Sequence, residues 1–176
     1  NDKAISISVP HENPEKEVVF FAIGFETTTP PTSAALVTAK QENLKNFSVF
    51  CNHVLTPVAM SALLRSGNDD VHIDGFIGPS HVSIVVGSNA YVDVAKHFKK
   101  PIVIAGFEPL DVMHAILMLI NQLNRKAYDV ENQYTRAVTE TGNVKAQALM
   151  LETLSIRDTF EWRGLGMIAQ SAMRIN

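Results

Sequence analysis

Four short, dense apolar runs recur along the chain. They are rich in β-branched and aromatic residues, and none alternates cleanly between apolar and polar positions: VVFFAIGF (18–25), FSVFCN (47–52), IDGFIG (73–78) and PIVIAGF (101–107). Continuous runs of this kind are typical of strands that are covered on both faces, as in a parallel sheet. The pattern therefore predicts buried parallel strands.

Helix-like segments lie between and after these runs, at 32–44, 56–67, 88–98 and 111–126. Polar residues close the four runs at intervals of 26, 29 and 27 residues: Glu26, Asn52, His81 and Glu108. A strand, a helix and two turns need about 30 residues. We therefore predict an α/β fold, namely an open, mostly parallel four-stranded sheet of successive βα units with helices on both faces.

The character of the chain changes after residue 127. The segment 128–143 is polar, 144–156 has the pattern of one amphipathic helix, and 158–176 contains glycine and is predicted to be irregular or a short strand. We therefore expect an uncertain N-terminal segment (1–12), an α/β domain (13–127) and a C-terminal extension (128–176).

Composition excludes several classes of function. The net charge of −3 and the pI of about 6.1 argue against binding to nucleic acid. The longest apolar run, AILMLI (115–120), is too short to span a bilayer, which needs about 20 residues. One cysteine, Cys51, lies within an apolar run, so we expect it to be buried and inert and to form neither a disulfide nor a metal site.

Ligands of open parallel sheets bind at the carboxyl ends of the strands. Two of those ends carry the same corner, Gly-Phe-Glu, at 24–26 and 106–108. The other two carry imidazoles, His53 and His81. The sequence therefore predicts one rim that gathers two carboxylates, two histidines and several hydroxyls.

Each of these residues also has a structural interpretation. Thr28 or Thr29 before Pro30-Pro31, and Asp111 before its helix, are candidate N-caps. Glu26 and Glu108 are candidates for structural ion pairs with Arg65, Arg136 or Arg163. His114 stands on an almost wholly apolar helix and is expected to be buried.

The residues alone leave two functions open. One is a self-contained small-molecule or metal-dependent enzyme. A hard or borderline metal would suit the side chains of the rim, namely His53, His81, Glu26 and Glu108. A purely structural interaction domain is another alternative, and it would pair the rim carboxylates internally. Nothing in the spacing demands a metal, so no metal ligand is assigned.

Five blocks, taken in order, resemble the HypD family of nickel–iron hydrogenase maturation proteins: GFETTTP (24–30), GPSHVS (78–83), IAGFEPLD (104–111), ENQYTR (131–136) and EWRGLG (161–166). The resemblance implies a cytoplasmic assembly scaffold and not an enzyme acting alone. It implies partners: a small β-barrel chaperone of the HypC family, and a cyanide donor of the HypE family. It also implies, for a longer family protein, a 4Fe–4S cluster and an iron unit with two cyanides and one carbonyl.

The resemblance carries cleft roles to matching positions of this chain: Glu26, Thr27, Thr28, His81, Ser83, Glu108 and Pro109, with His53, Asp111 and Arg163 as weaker candidates. The cysteine-containing boxes of the family are absent, and Cys51 matches none of them. We therefore expect no cofactor within this segment. It resembles the second α/β domain of such a protein, forming one wall of an iron-handling cleft.

Overall fold

A computed structural model describes residues 5–65 and 72–176. Its contacts divide the chain into two compact units. The first contains the described residues up to Leu55 together with Lys145–Trp162 and Met167–Asn176, and the second contains Thr56–Val144 and Arg163–Gly166. Each unit has a parallel sheet of its own.

The first unit is built on two parallel strands. Its elements, in chain order, are α1 (Ile5–Glu12), β1 (Val18–Gly24), α2 (Thr29–Gln41) and β2 (Phe47–His53). The strands pair in register from Val18 with Phe47 to Gly24 with His53. Helices α1 and α2 share a small core of Ile7, Ala35 and Ala39, which is completed by Leu44 and Phe47.

The second unit contains a three-stranded parallel sheet in the order β3, β4, β5. Its elements are α3 (Thr56–Arg65), β3 (Phe76–Pro79), α4 (Ser80–Val86), a 3-10 helix (Ser88–Tyr91), α5 (Val92–Phe98), β4 (Ile102–Ala105), α6 (Pro109–Arg125) and β5 (Val130–Asn132). All four residues of the central strand β4 are buried. Ile102 and Ile104 pack against Tyr91 and Val94, whereas Val103 and Ala105 pack against α6.

The C-terminal segment returns to the first unit. It contains α7 (Val144–Thr153), β6 (Leu154–Ile156), β7 (Thr159–Trp162), β8 (Gly166–Ala169) and β9 (Met173–Ile175). Strands β6 and β9 pair antiparallel, and β7 pairs with β8. Next to β2, Val54 bridges Ala172, and the Cys51 thiol lies 3.4 Å from the carbonyl oxygen of Met173. Cys51 is buried, as expected.

The mixed α/β class and the parallel pairing are confirmed, but the single four-stranded sheet is not what forms. The four predicted strands divide between the sheets β1–β2 and β3–β4–β5. The physical reason lies in competition for strand edges. The C-terminal return takes the place beside β2, and the short strand β5 takes the free edge of β4.

The predicted domain, 13–127, contributes residues to both units, and its outer boundaries stay predictions. In the described ranges, no helix is long and apolar enough to cross a membrane.

Candidate functional site

The residues that come after β4 form an extensively bonded polar group with residues that come after β5. Helix α6 begins with Pro109 at its first position, Glu108 holds the N-cap position, and Asp111 lies in the first turn. Asp111 is only 5% exposed. Its Oδ1 accepts hydrogen bonds from Nε2 of Gln133 and Nη1 of Arg136, each at 2.9 Å. The prediction that Asp111 is the N-cap is wrong, because the helix begins two residues earlier.

Arg136 joins the two carboxylates of this segment. Its Nη2 donates to Oδ2 of Asp111 and, at 3.2 Å, to Oε2 of Glu108. Its guanidinium carbon lies 4.1 Å from the ring centroid of Tyr134, within cation–π range. Hydrogen bonds from Arg136, and then from Gln133, lower the pKa of Asp111 to about 2. Asp111 in turn raises the pKa of Arg136, so both groups stay charged at any physiological pH.

Gly106 brings the end of β4 into close contact with the segment after β5. Its backbone N–H donates to Oε1 of Gln133 at 3.4 Å. A Cβ at this position would overlap Oδ2 of Asp111 and lie 2.6 Å from two ring carbons of Tyr134. The blocks 104–111 and 131–136 therefore pack directly against each other. We call the residues that make these contacts the Asp111 cluster: Gly106, Glu108, Asp111, Gln133, Tyr134 and Arg136.

His81 lies beside the Asp111 cluster. It is exposed, and its ring centroid is 4.5 Å from that of Phe107, which is itself 66% exposed. Strands β3 and β4 are parallel neighbours, so their carboxyl ends bring His81, Phe107 and Glu108 to the same edge of the sheet. The side chain of Glu108 is 76% exposed, so its pairing with Arg136 is a surface contact.

Ser83 is placed differently from its neighbour His81. It is fully buried, its hydroxyl lies 2.7 Å from the carbonyl oxygen of Pro79 and 3.2 Å from the Tyr91 hydroxyl, and it thus fixes the turn into α4. Pro109 and Arg163 are exposed.

The first Gly-Phe-Glu corner lies in the other unit and has a different local structure. Gly24 has φ of +138°, and Glu26 is 1% exposed and engaged in interactions. Thr28 occupies the N-cap position of α2, but its hydroxyl donates backward to the carbonyl of Phe25 at 3.1 Å instead of capping the helix. Thr27 is half-buried beside it.

His53 closes β2 inside the first unit. It is 1% exposed, and its Nε2 lies 2.8 Å from Oγ1 of Thr32. Its Nδ1 has no hydrogen-bond partner among the described residues. His53 and Thr32 line a cavity of about 250 Å³ together with Phe20, Ile23 and Pro31. Burial lowers the pKa of His53, and the nearby backbone of Gly24 offsets this only in part, so the fold favours the neutral form of the ring.

This burial predicts an acid-sensitive first unit. Because the folded pKa of His53 lies below the unfolded value of 6.5, the unfolded state binds more protons as the pH falls. The free energy of unfolding should therefore decrease as the pH falls through about 6.5. In the variant His53→Gln that decrease should be smaller. Urea unfolding at pH 7.5, 6.5 and 5.5 measures it, and an identical pH dependence in both proteins would contradict the assignment.

The candidate residues thus fall into two sets. The second unit brings His81, Glu108 and Asp111 close together, whereas Glu26, Thr27, Thr28 and His53 belong to the first unit. In the part of the chain that the structure describes, no three histidine, cysteine, aspartate or glutamate side chains are grouped as metal ligands.

Sequence patterns assigned no role to Gln133 and Tyr134, and they indicated Arg136 only as a pairing partner. All three residues belong to the ENQYTR block, which is the sequence feature that could have indicated them. Strand β5, which positions this block, is only three residues long and has no apolar run, so the sequence did not predict it as a strand.

Known proteins resemble this chain over nearly its whole length. The family model HypD, described as "Hydrogenase formation hypA family", matches residues 3–176. The hydrogenase maturation factor HypD of Azotobacter vinelandii is 55% identical over 97% of this chain, which covers 46% of that protein. The hydrogenase expression/formation protein HupD of Azotobacter chroococcum mcd 1 is 55% identical over 98% of the chain and 46% of that protein. The HypD of Escherichia coli (strain K12) is 42% identical over 97% of the chain and 45% of that protein.

This chain spans slightly less than half the length of these relatives. The match to the family model covers almost every residue and includes both the His81 segment and the Asp111 cluster. The chain belongs to the HypD family of hydrogenase formation proteins.

Proposed function

We propose that this chain forms one wall of the cleft in which a HypD-type maturation factor handles the iron unit of nickel–iron hydrogenase. The observation that supports the proposal is the exposed group of His81, Phe107 and Glu108 at the carboxyl ends of two parallel strands. Such strand ends are where open α/β sheets bind ligands. The close packing of Gly106 in the Asp111 cluster fixes the backbone next to Phe107 and Glu108.

The chemistry of the group suits cyanide and carbonyl ligands better than bare iron. The nitrogen of an iron-bound cyanide accepts hydrogen bonds, and the N–H groups of His81 and Arg136 are donors. The ring of Phe107 offers an apolar surface beside them. In this proposal His81 and Arg136 donate hydrogen bonds to the cyanides, Asp111 keeps Arg136 in place, and the iron takes its protein ligands from another part of a family-length protein.

The proposed role is that of a scaffold rather than an enzyme acting alone. In a family-length protein, working in the cytoplasm, the partners would be a HypC-type β-barrel chaperone and a HypE-type cyanide donor. The alternatives, a self-contained enzyme or an interaction domain of another system, are not favoured, because the three relatives are named for hydrogenase maturation or formation.

A 4Fe–4S cluster does not fit the residues of this segment. Such a cluster is held by four cysteine thiolates, and this chain has one cysteine, Cys51, whose thiol faces the carbonyl of Met173 in a buried place. The cluster of a family-length protein would be held outside the segment that this chain matches.

Hydrogenase maturation in a strain that lacks its own HypD tests the proposal. The Azotobacter vinelandii relative with alanine at the position aligned with His81 should restore less than about a tenth of the wild-type hydrogenase activity, as expected when a positioned hydrogen-bond donor is removed. The protein itself should accumulate normally, because His81 is exposed. Alanine at the position aligned with His97, an exposed histidine of α5, is the matched control. Full activity of the first variant would remove His81 from the site.

A further inference from the structure

Helix α6 presents a stripe of large apolar side chains to solvent. Leu110 is 83% exposed, Met113 64% and Leu117 56%, and Ile120 and Ile116 are exposed as well. The opposite side of the helix faces the sheet, where Ala115 and Gln122 are completely buried. The outer face of a surface helix is normally polar. An apolar stripe of this size therefore marks an interaction surface.

The spacing of the stripe indicates what covers it. Leu110, Met113, Leu117 and Ile120 succeed one another at intervals of three, four and three residues, and we call them the α6 seam. This is the spacing of the a and d positions at which two helices pack side by side. The two buried residues, Ala115 and Gln122, are seven residues apart, so they lie on one side of the helix, away from the α6 seam. The partner that fits the α6 seam is another helix.

A membrane surface and a second copy fit the observations less well. Membrane-surface helices carry lysine and arginine along the polar face, and α6 contains one basic residue of this kind, Arg125. A pair of α6 helices from two copies would leave a second apolar surface unexplained. On the sheet β1–β2 of the other unit, Val19, Phe21 and Phe50 are each more than half exposed.

A longer chain accounts for both surfaces. The faces of a parallel sheet are normally covered, whereas Val19, Phe21 and Phe50 leave one face of β1–β2 exposed, and the relatives of this chain are more than twice the matched length. We propose that in a family-length HypD protein the α6 seam is covered by an amphipathic helix from the part of the protein that this chain does not match. That helix carries its own a/d stripe and crosses α6 at about 20°. The inference rests on family membership and is independent of the proposed iron chemistry.

Cysteine accessibility tests the proposal with the same chemical group in two proteins. Leu117→Cys is made in this chain, and cysteine is placed at the aligned position of the Azotobacter vinelandii relative. Each is treated with a maleimide under native conditions, and mass spectrometry identifies the modified residue. Lys96→Cys, on the exposed face of α5, and its aligned counterpart are the matched control. Light scattering gives the mass of each protein.

The cysteine at 117 should react quickly in this chain and about 100-fold more slowly in the longer relative, because it becomes reactive there only through local opening. The cysteine at 96 should react quickly in both proteins. Equal rates at 117 in the two proteins would show that the α6 seam is free and would overturn the proposal. Slow reaction in this chain, together with the mass of a dimer, would also overturn it, because a second copy would then be the occupant.

Discussion

Replacing Gly106 with alanine should lower the free energy of unfolding by about 2–3 kcal/mol, the upper part of the range for overpacked sites. The added methyl group would overlap Oδ2 of Asp111 and lie 2.6 Å from the Tyr134 ring. Neither neighbour can move away freely, because Arg136 and Gln133 hold the carboxylate and the guanidinium stacks on the ring. Urea unfolding of this chain, followed by circular dichroism, measures the change.

Gly164→Ala is the matched control for this prediction. Gly164 has φ of +83°, and open space surrounds it in the described part of the chain, so alanine there meets the backbone penalty alone, about 1 kcal/mol. Gly106 is not in the left-handed region, so its requirement for glycine is one of space. If Gly106→Ala cost no more than Gly164→Ala, the tight packing of the Asp111 cluster would be contradicted.

Asp111→Asn should destabilise the chain at pH 7 by leaving the Arg136 guanidinium without its buried carboxylate. The effect should depend on pH in a defined direction. The pKa of Asp111 is about 2 in the folded state against an ordinary 3.8, so the stabilisation is fully present above about pH 4 and is lost as the pH falls through 2. The difference in unfolding free energy between the wild type and the variant should therefore shrink between pH 4 and pH 2.

The variant Glu108→Gln distinguishes the contributions that the two carboxylates bonded to Arg136 make to stability. The Glu108 side chain is 76% exposed, and exposed ion pairs contribute little to stability. This variant should unfold like the wild type at every pH, as measured by urea titrations at about pH 7, 4, 3 and 2, which cover the range from the unfolded to the folded pKa of Asp111. Two results would contradict the assignment of Asp111 as the anchor of Arg136. One is that Glu108→Gln lowers the free energy of unfolding as much as Asp111→Asn does. The other is that the difference in unfolding free energy between the wild type and Asp111→Asn does not change with pH.

Sequence patterns predicted the elements of the fold better than their arrangement. Each of the four apolar runs forms a strand, but only β4 is buried along its whole length, whereas exposed residues alternate with covered ones along most of β1 and β2. The runs do not specify which edge each strand pairs with. Strand β5 reads only Val-Glu-Asn, and the pairing of Val54 with Ala172 joins residues 118 positions apart. No local pattern contains either contact, so the division into two sheets could not be predicted.

At the candidate site, the two Gly-Phe-Glu corners show that an identical tripeptide does not determine how exposed its glutamate is. Glu26 is 1% exposed, whereas the side chain of Glu108 is 76% exposed. The residues after each corner account for the difference. Proline begins α6 directly after Glu108, so that glutamate stands at the helix N-cap, whereas Glu26 lies in a turn that ends at Thr28. The corners were expected to act alike, and only the one at Glu108 presents its carboxylate to solvent.

His114 was expected to be buried because α6 is almost wholly apolar, and that prediction is wrong. The helix buries the side that carries Asp111, Ala115 and Gln122, and it exposes His114 on the other. Apolar composition measured along a helix does not reveal which side the sheet covers, least of all when the exposed side is apolar as well.

Infrared spectroscopy of the purified Azotobacter vinelandii relative tests the central claim most directly. Iron-bound cyanide and carbonyl groups give stretching bands in a region of the spectrum free of protein absorption. If the His81 group holds the ligands of the iron unit, alanine at the position aligned with His81 should abolish or shift the cyanide bands, while the protein remains folded. Cyanide and carbonyl bands of unchanged position and intensity in that variant would contradict the account.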